Sequence, residues 1–443
     1  MKNVNHILDQ ETRNGKLNWA RCLFIFLSGI AFPAYGYIDP GTGSMLFSVM
    51  IGLVSVVFFT VRSALIRLRT LPIWYHHDKG YASKNKKEFV IYSEGRQYWN
   101  VFRPVIEELD RRAISCHFYT SDESDPGLKY QSNHVKARFI GKGNKAYAML
   151  NMLEADLCLM TTPGLDVYQL KRSKFVKHYT HILHSTDDVT FYRLFGLDYF
   201  DSVLLTGEYQ KKAIRQLETL RGIKEKKLIV VGCTYLDELK KSLDNLPVVV
   251  KTDSNYTVLV SPSWGENGIL RKFGMSLLKP LVESNFQVII RPHPQSAISE
   301  KKILDYLMEQ LKPYQNVEWD FHRENIHAMQ KSDIMISDFS AIVFDYLFLF
   351  SRPVIYTSYN FDKRPYDCSD LEEEPWKFQT LNRIGIRLTE DNFMNIREIV
   401  LNNIHNRDLQ EKIRERRETA YFYPGQAGEK VVDAILSLQQ AEL

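Results

Sequence analysis

The sequence predicts an α/β protein of two Rossmann-like, doubly wound domains facing a cleft, with an N-terminal membrane segment. Three observations carry this prediction. From Glu88 onward, short apolar runs alternate with stretches of helical spacing, the pattern of a parallel sheet covered by helices. The alternation pauses over the polar stretch Lys240–Ser254 and then begins again. Ahead of both lies Met45–Val61, which is nearly all apolar. A chain of 443 residues is too long for one ordinary domain and suits two halves plus an appendage.

The N-terminus reads as an anchor over 1–70. A polar start with Lys2, Arg13, Lys16 and Arg21 precedes the apolar run Leu23–Phe32 and the small residues Ala34 and Gly36. That order fits a signal peptide cleaved after Gly36, or an uncleaved first membrane helix. The turn-rich connector Tyr37–Ser44 follows. Met45–Val61, with Gly43 and Ser44, is about long enough to span a bilayer. Arg62, Arg67 and Arg69 come directly after it, which places residues 62–443 on the cytoplasmic side of the membrane. The juxtamembrane stretch 71–87, with Trp74 and Tyr75, suits the headgroup region.

In the first half, 88–239, the runs Phe89–Ser93, Ser115–Thr120, Ala137–Ile140, Leu157–Thr161, Thr180–His184, Val203–Thr206 and Leu228–Val231 read as strands. Tyr98–Arg112, Asn144–Glu154 and Tyr209–Leu220 have helical spacing. Residues 240–254 read as the linker. In the second half, 255–406, the strands are Val258–Ser261, Phe286–Arg291, Val317–Trp319, Asp333–Ser337 and Pro353–Tyr356. Leu270–Glu283, Ser299–Leu311, Ile326–Gln330 and Ala341–Phe350 are the helices between them. Residues 407–443 read as terminal helices. In such a fold ligands bind outside the C-terminal ends of the strands.

Composition narrows the function classes. A net charge of +4 with no basic patch gives no warrant for nucleic acid as a partner. The five cysteines, Cys22, Cys116, Cys158, Cys233 and Cys368, are scattered, against a zinc site or disulfide framework. No Walker loop and no His-Glu-x-x-His is present, and neither a metal nor a cofactor is expected.

The chain is organised around Ser337-Asp338-Phe339-Ser340-Ala341-Ile342-Val343-Phe344-Asp345-Tyr346. It joins a buried strand to an apolar helix, and Arg352-Pro353-Val354-Ile355-Tyr356 starts the next strand. Ser337, Asp338 and Ser340 stand at the helix mouth, where free N–H groups make an anion site. The same residue types also serve as plain helix caps. A second element, Val288-Ile289-Ile290-Arg291-Pro292-His293-Pro294, ends a strand in a stiff loop. Together these resemble the signatures of the CDP-glycerol glycerophosphotransferases, bacterial enzymes that build teichoic acids and related surface polymers. The resemblance runs from about Phe89 to Tyr423, specific in the second half and loose in the first.

What the resemblance implies is a GT-B architecture and a defined reaction. An acceptor hydroxyl attacks the β-phosphorus of CDP-glycerol, or a related CDP-alditol, and CMP leaves. The acceptor would be a lipid-linked glycan at the membrane. Such a transfer needs a base at the hydroxyl and donors around the diphosphate. His293 matches the family histidine that stabilises charge on the transferred phosphate, and Ser340 a serine that contacts the donor phosphates. Ala341 stands where many members carry a second hydroxyl. Asp345 matches a residue near the glycerol hydroxyls, and its alternative is a plain helix carboxylate. Arg291 is placed near the phosphates, or is a structural cation at a strand end.

Ser261-Pro262-Ser263-Trp264 resembles the family's Ala-Pro-Thr-Trp, with Ser263 near the phosphates. The family's other histidine, in a His-Gly motif, is best matched in Thr180–Asp187. His184 is the expected base and His181 the alternative. Ser185 replaces the usual glycine, and the Thr-Pro-Leu-Lys continuation is absent. Gly232-Cys233-Thr234-Tyr235-Leu236-Asp237 resembles the turn that closes the first half and reads as structural. Two other readings keep the fold: a glycosyltransferase using a nucleotide sugar, and an inactive scaffold of a polysaccharide assembly complex.

Overall fold

The structure, a computed structural model, describes residues 87–248, 256–322, 324–357 and 361–440, with Val54, Val56, Val57, Thr60 and Val61. The chain divides into two units, Met1–Tyr81 and Ala82–Leu443. In the first, the five described positions are helical. The expected leader, membrane span and basic juxtamembrane stretch otherwise lie outside the described residues. No helix among the described residues is long and apolar enough to cross a membrane.

The second unit holds two parallel sheets. The first is built from β1 (Lys87–Ser93), β2 (Cys116–Thr120), β3 (Val135–Phe139), β4 (Ala155–Met160), β5 (Val176–Ile182), β6 (Ser202–Leu205) and β7 (Lys227–Val230). Their order is β3-β2-β1-β4-β5-β6-β7. The second holds β8 (Thr257–Val260), β9 (Gln287–Ile290), β10 (Val317–Trp319), β11 (Ile334–Ser337), β12 (Val354–Thr357) and β13 (Ile386–Leu388), ordered β10-β9-β8-β11-β12-β13. Both follow the doubly wound order, which reverses beside the first strand and opens a crevice at that point: β1/β4 in one half, β8/β11 in the other.

The helices that position the site are α1 (Trp99–Arg111), α2 (Tyr209–Arg221), α3 (Thr234–Asp244), α4 (Ile342–Phe350), α5 (Trp376–Ile384), α6 (Arg407–Ala420) and α7 (Ala427–Gln440). α1 buries Val101, Phe102, Val105, Ile106 and Leu109, a stripe at helical spacing against sheet one. α4 is apolar almost all round because sheet two lies on one side and α6 on the other: Phe344 and Leu347 share a core with Leu409 and Ile413. The chain then returns. α7 places Val431, Val432, Ile435 and Leu438 into the core of the first half, beside Phe89 and Ile91.

That return is fastened at the Gly232–Asp237 turn. Gly232 has φ +86°, and a Cβ there would collide with the Phe422 carbonyl. The Asp237 carboxylate accepts from Tyr421 Oη at 2.5 Å and from the backbone N–H groups of Gly425 and Ala427 at 2.8 and 3.0 Å.

Four local expectations differ from the structure. β5 ends at Ile182, so His184 lies in the loop beyond the strand. The helix expected over Leu270–Glu283 is broken at Gly274, φ +46°, into Ile269–Lys272 and Met275–Val282. The expected linker begins inside α3. Residues 361–404 carry α5, β13 and the helix Ile396–Ile404, none of which the apolar pattern announced. Strand β13 is only Ile386–Leu388, too short for a period to register.

Candidate active site

In the second half the crevice lies between the loop after β8 and the turn after β11. Ser337 Oγ donates to the Ser261 carbonyl at 2.6 Å. Asp338, with no exposed surface, accepts from the backbone N–H groups of Ser263 at 3.0 and 3.1 Å, Ile269 at 3.3 Å and Ser340 at 3.0 Å. Burial pushes its carboxyl up to about 6. Ser337 and Asp338 therefore point inward, tying together the two loops that wall the crevice. Ser263 is carried beside Asp338, while Ser340 keeps a partly exposed face just ahead of α4.

Arg291 is buried at the end of β9, and its Nη1 donates to Asp320 Oδ2 at 2.6 Å. That ion pair fixes the strand end from which His293 projects. His293 is partly exposed beside the half-exposed Trp264, ring centroids 6.3 Å apart. Its Nδ1 lies 3.1 Å from the Gln295 backbone N–H, which donates to it. Burial lowers the imidazolium pKa, with Glu300 opposing. A neutral ring whose Nδ1 accepts must carry its proton on Nε2, so His293 offers a donor outward.

Asp345, 5% exposed in the first turn of α4, has an Oδ1 with no hydrogen-bond partner. Burial first, then the negative Asp187, raise its pKa well above the usual carboxylate range. Burial thus favours its protonated form, which can donate.

The first half contributes the end of β5. His181 is fully buried, its Nε2 3.0 Å from Tyr192 Oη. Burial, then His184, hold its pKa at about 3. His184, partly exposed, has Nδ1 3.5 Å from the same hydroxyl, with Tyr98 edge-on at 5.6 Å, and burial lowers its pKa to about 4. A phenol has one proton. It can go to only one of the two rings: given to His181 Nε2, it lets the oxygen accept from His184 Nδ1–H and leaves His184 Nε2 bare; given to His184 Nδ1, it puts the His184 proton on Nε2. His181 has no path to a ligand in this arrangement; His184 has one.

The sequence reading missed three residues here. Glu94 follows β1 at the switch point, and burial raises its pKa, with the Thr162 side chain opposing. Tyr98 and Tyr192 enclose His184. Glu94 was findable, because it sits at the end of a predicted strand. Tyr192 was not, because it lies in a loop with no period.

The halves meet through 361–377. Asp367 N–H donates to the Tyr192 carbonyl at 2.9 Å, and buried Arg221 pairs with Asp198 and Asp367 at 2.7 and 2.6 Å. Tyr209 stacks on Trp376, centroids 4.0 Å apart. Lys377 Nζ contacts Asp187 Oδ2 at 2.7 Å and donates to the Phe339 carbonyl at 2.8 Å. The loop after β5 and the turn after β11 are thereby neighbours. Among the described residues no group of three or more His, Cys, Asp or Glu is placed to hold a metal ion.

The comparisons with known proteins agree with this layout. The wall teichoic acid polymerase TagF is 16% identical, with a TM-score of 0.53 over 86% of this chain and 98% of that one. A TagF variant has also been solved with CDPG. The UDP-GlcNAc 2-epimerase of Neisseria meningitidis, solved with UDP-GlcNAc, is 16% identical with a TM-score of 0.51 over 80% of this chain and 100% of that one. The enzyme of the same name from Methanocaldococcus jannaschii gives 14% and 0.51 over 80% and 99%. At these identities the likeness is one of fold: two doubly wound halves about a cleft. No curated protein matches the chain. Residues 198–437, more than half of the chain, match the family CDP-Glycerol:Poly(glycerophosphate) glycerophosphotransferase, a stretch that includes His293, Ser340 and Asp345. By that match the chain belongs to the CDP-glycerol glycerophosphotransferase family and is a transferase of that type.

Proposed function

We propose that the protein transfers glycerol phosphate, or a related alditol phosphate, from a CDP-activated donor to a hydroxyl of a membrane-linked glycan. The observation that carries this reading is the pairing of the family match with two partly exposed histidines just beyond strand ends of the two halves, His184 and His293, the latter accepting at Nδ1 and so carrying its proton on Nε2.

His184 takes the proton of the acceptor hydroxyl as the oxygen attacks the β-phosphorus. His293 and Ser340 hold the equatorial phosphate oxygens as charge builds, and the bond to the CMP oxygen breaks. Asp345, kept protonated, donates to a hydroxyl of the transferred alcohol. Ser263, Ser337, Asp338 and Arg291 shape the two loops. The cytidine occupies the recess of about 390 Å³ beside Phe339, walled by Tyr356, Phe361 and Phe378. The CDPG bound to the TagF variant supports the choice of donor. A polymer acceptor confined to the inner membrane accounts for an anchor over residues 1–70, with the catalytic unit on the cytoplasmic face.

The test is CMP release by detergent-solubilised protein given CDP-glycerol and a crude lipid extract of its host. CDP-ribitol and UDP-sugars run alongside, with His293→Ala as control. CMP from a CDP-alditol alone, lost in the variant, supports the reading. UMP or UDP from a sugar nucleotide overturns it.

A further inference from the structure

Lys377 is 2% exposed, an unusual place for an amine, and it comes from α5, a helix with no assigned part in the reaction. A buried ammonium persists only where charge and hydrogen bonds replace its water. Here every partner lies on one of two loops. On the first-half side Nζ contacts Asp187 Oδ2 at 2.7 Å, and the residue's backbone N–H donates to Asp188 Oδ2 at 3.1 Å. The amine also lies 4.2 Å from the centre of the Phe191 ring. These residues occupy the loop that begins at His184. On the second-half side Nζ donates to the carbonyl of Phe339 at 2.8 Å, in the turn between Asp338 and Ser340.

One side chain thus grips the loop of the expected base and the turn of the expected donor site. Asp187 also bears electrostatically on Asp345, so the same contact sets how much negative charge that acid feels. We propose that Lys377 is a positioning residue that fixes the separation of the two loops, and through it the distance from acceptor oxygen to phosphorus. The inference rests on the reading of the reaction given above. Because each loop belongs to a different half, the contact sets the separation of the halves at the point where an error of about 1 Å can cost about a hundredfold in rate.

The experiment pairs kinetics with a distance. Lys377→Met keeps length and burial without charge, and Lys377→Arg keeps charge with a different shape. With CDP-glycerol and lipid acceptor, kcat for CMP release should fall about thirtyfold or more in Lys377→Met. The donor KM should stay within about threefold, and Lys377→Arg should fall between wild type and Met. Spin labels on the exposed positions Lys142→Cys and Lys302→Cys, in a Cys22→Ser background, report the separation of the halves without catalysis. The distance distribution should broaden in Lys377→Met. A folded Lys377→Met enzyme with unchanged kcat overturns the proposal. If wild type releases no CMP, the reaction reading fails, and the labels alone then decide whether Lys377 fixes the halves: an unbroadened distribution overturns it.

Discussion

The turn after β11 and the loop after β5 do equivalent jobs in the two halves, yet they are built in opposite ways. Residues 334–350 are self-contained. Strand, turn and helix are contiguous, and Asp338 closes the unit by gathering N–H groups from its own turn and from the neighbouring loop at Ser263 and Ile269. The loop from His184 to Tyr192 closes only a short turn by itself, with Asp188 accepting from Thr190. Its geometry depends on Lys377, Asp367 and Arg221, from elsewhere in the chain. A site built locally leaves a signature in sequence; a site held from a distance leaves only its histidine.

The largest effect should separate the two histidines of that loop. His184→Ala should lower CMP release about a thousandfold, the ordinary worth of a general base. His181→Ala should keep activity within about tenfold and lower Tm instead, because His181 is enclosed, with Tyr192 at its Nε2 and Phe200 against its ring. A dead His181 variant beside an active His184 variant would move the base from the loop into the strand.

The self-contained turn predicts a stability effect with a definite sign. Asp338 titrates near its ordinary 3.8 when unfolded and near about 6 when folded. Between those values the folded chain holds a proton that the unfolded chain has released, so stability falls as pH rises through this window. Above about 6 the loss is complete. Two pKa units correspond to about 3 kcal/mol. Denaturant titrations from pH 4 to 7 should therefore show wild type losing stability relative to Asp338→Asn, which has no proton to release. Parallel profiles would show that the carboxyl is not held proton-bound in the folded state.

How much was legible follows the same division. The two doubly wound halves were readable because most of β1–β12 are apolar runs of four or more residues, and the C-terminal return because α6 and α7 are long. His293, Ser340 and Asp345 stood out because their motifs are continuous. Arg291, Ser337 and Asp338 could be numbered but not oriented: whether a polar side chain at a strand end faces ligand or backbone depends on neighbours such as Asp320 and Ser263. Lys377 gave no signal. An isolated lysine on an amphipathic helix reads as solvated, and only burial against a second element shows otherwise. The anchor over 1–70 is a reading from hydropathy and charge.

The smallest effect tests the hydroxyl that joins the two histidines. Tyr192→Phe removes the hydroxyl that contacts both His184 Nδ1 and His181 Nε2 while keeping the ring that packs against both. The His184 ring should then sample the wrong tautomer, and kcat/KM should fall about fivefold, the scale of one long neutral hydrogen bond. The pH profile sharpens this. His184 must be neutral to accept a proton, and burial alone holds its pKa at about 4. The acid limb of kcat/KM should therefore lie near pH 4 in both enzymes, with only the plateau lowered in the variant. A limb that moves up toward 6.5 would mean that the phenol, by keeping the loop closed, is what keeps water from His184.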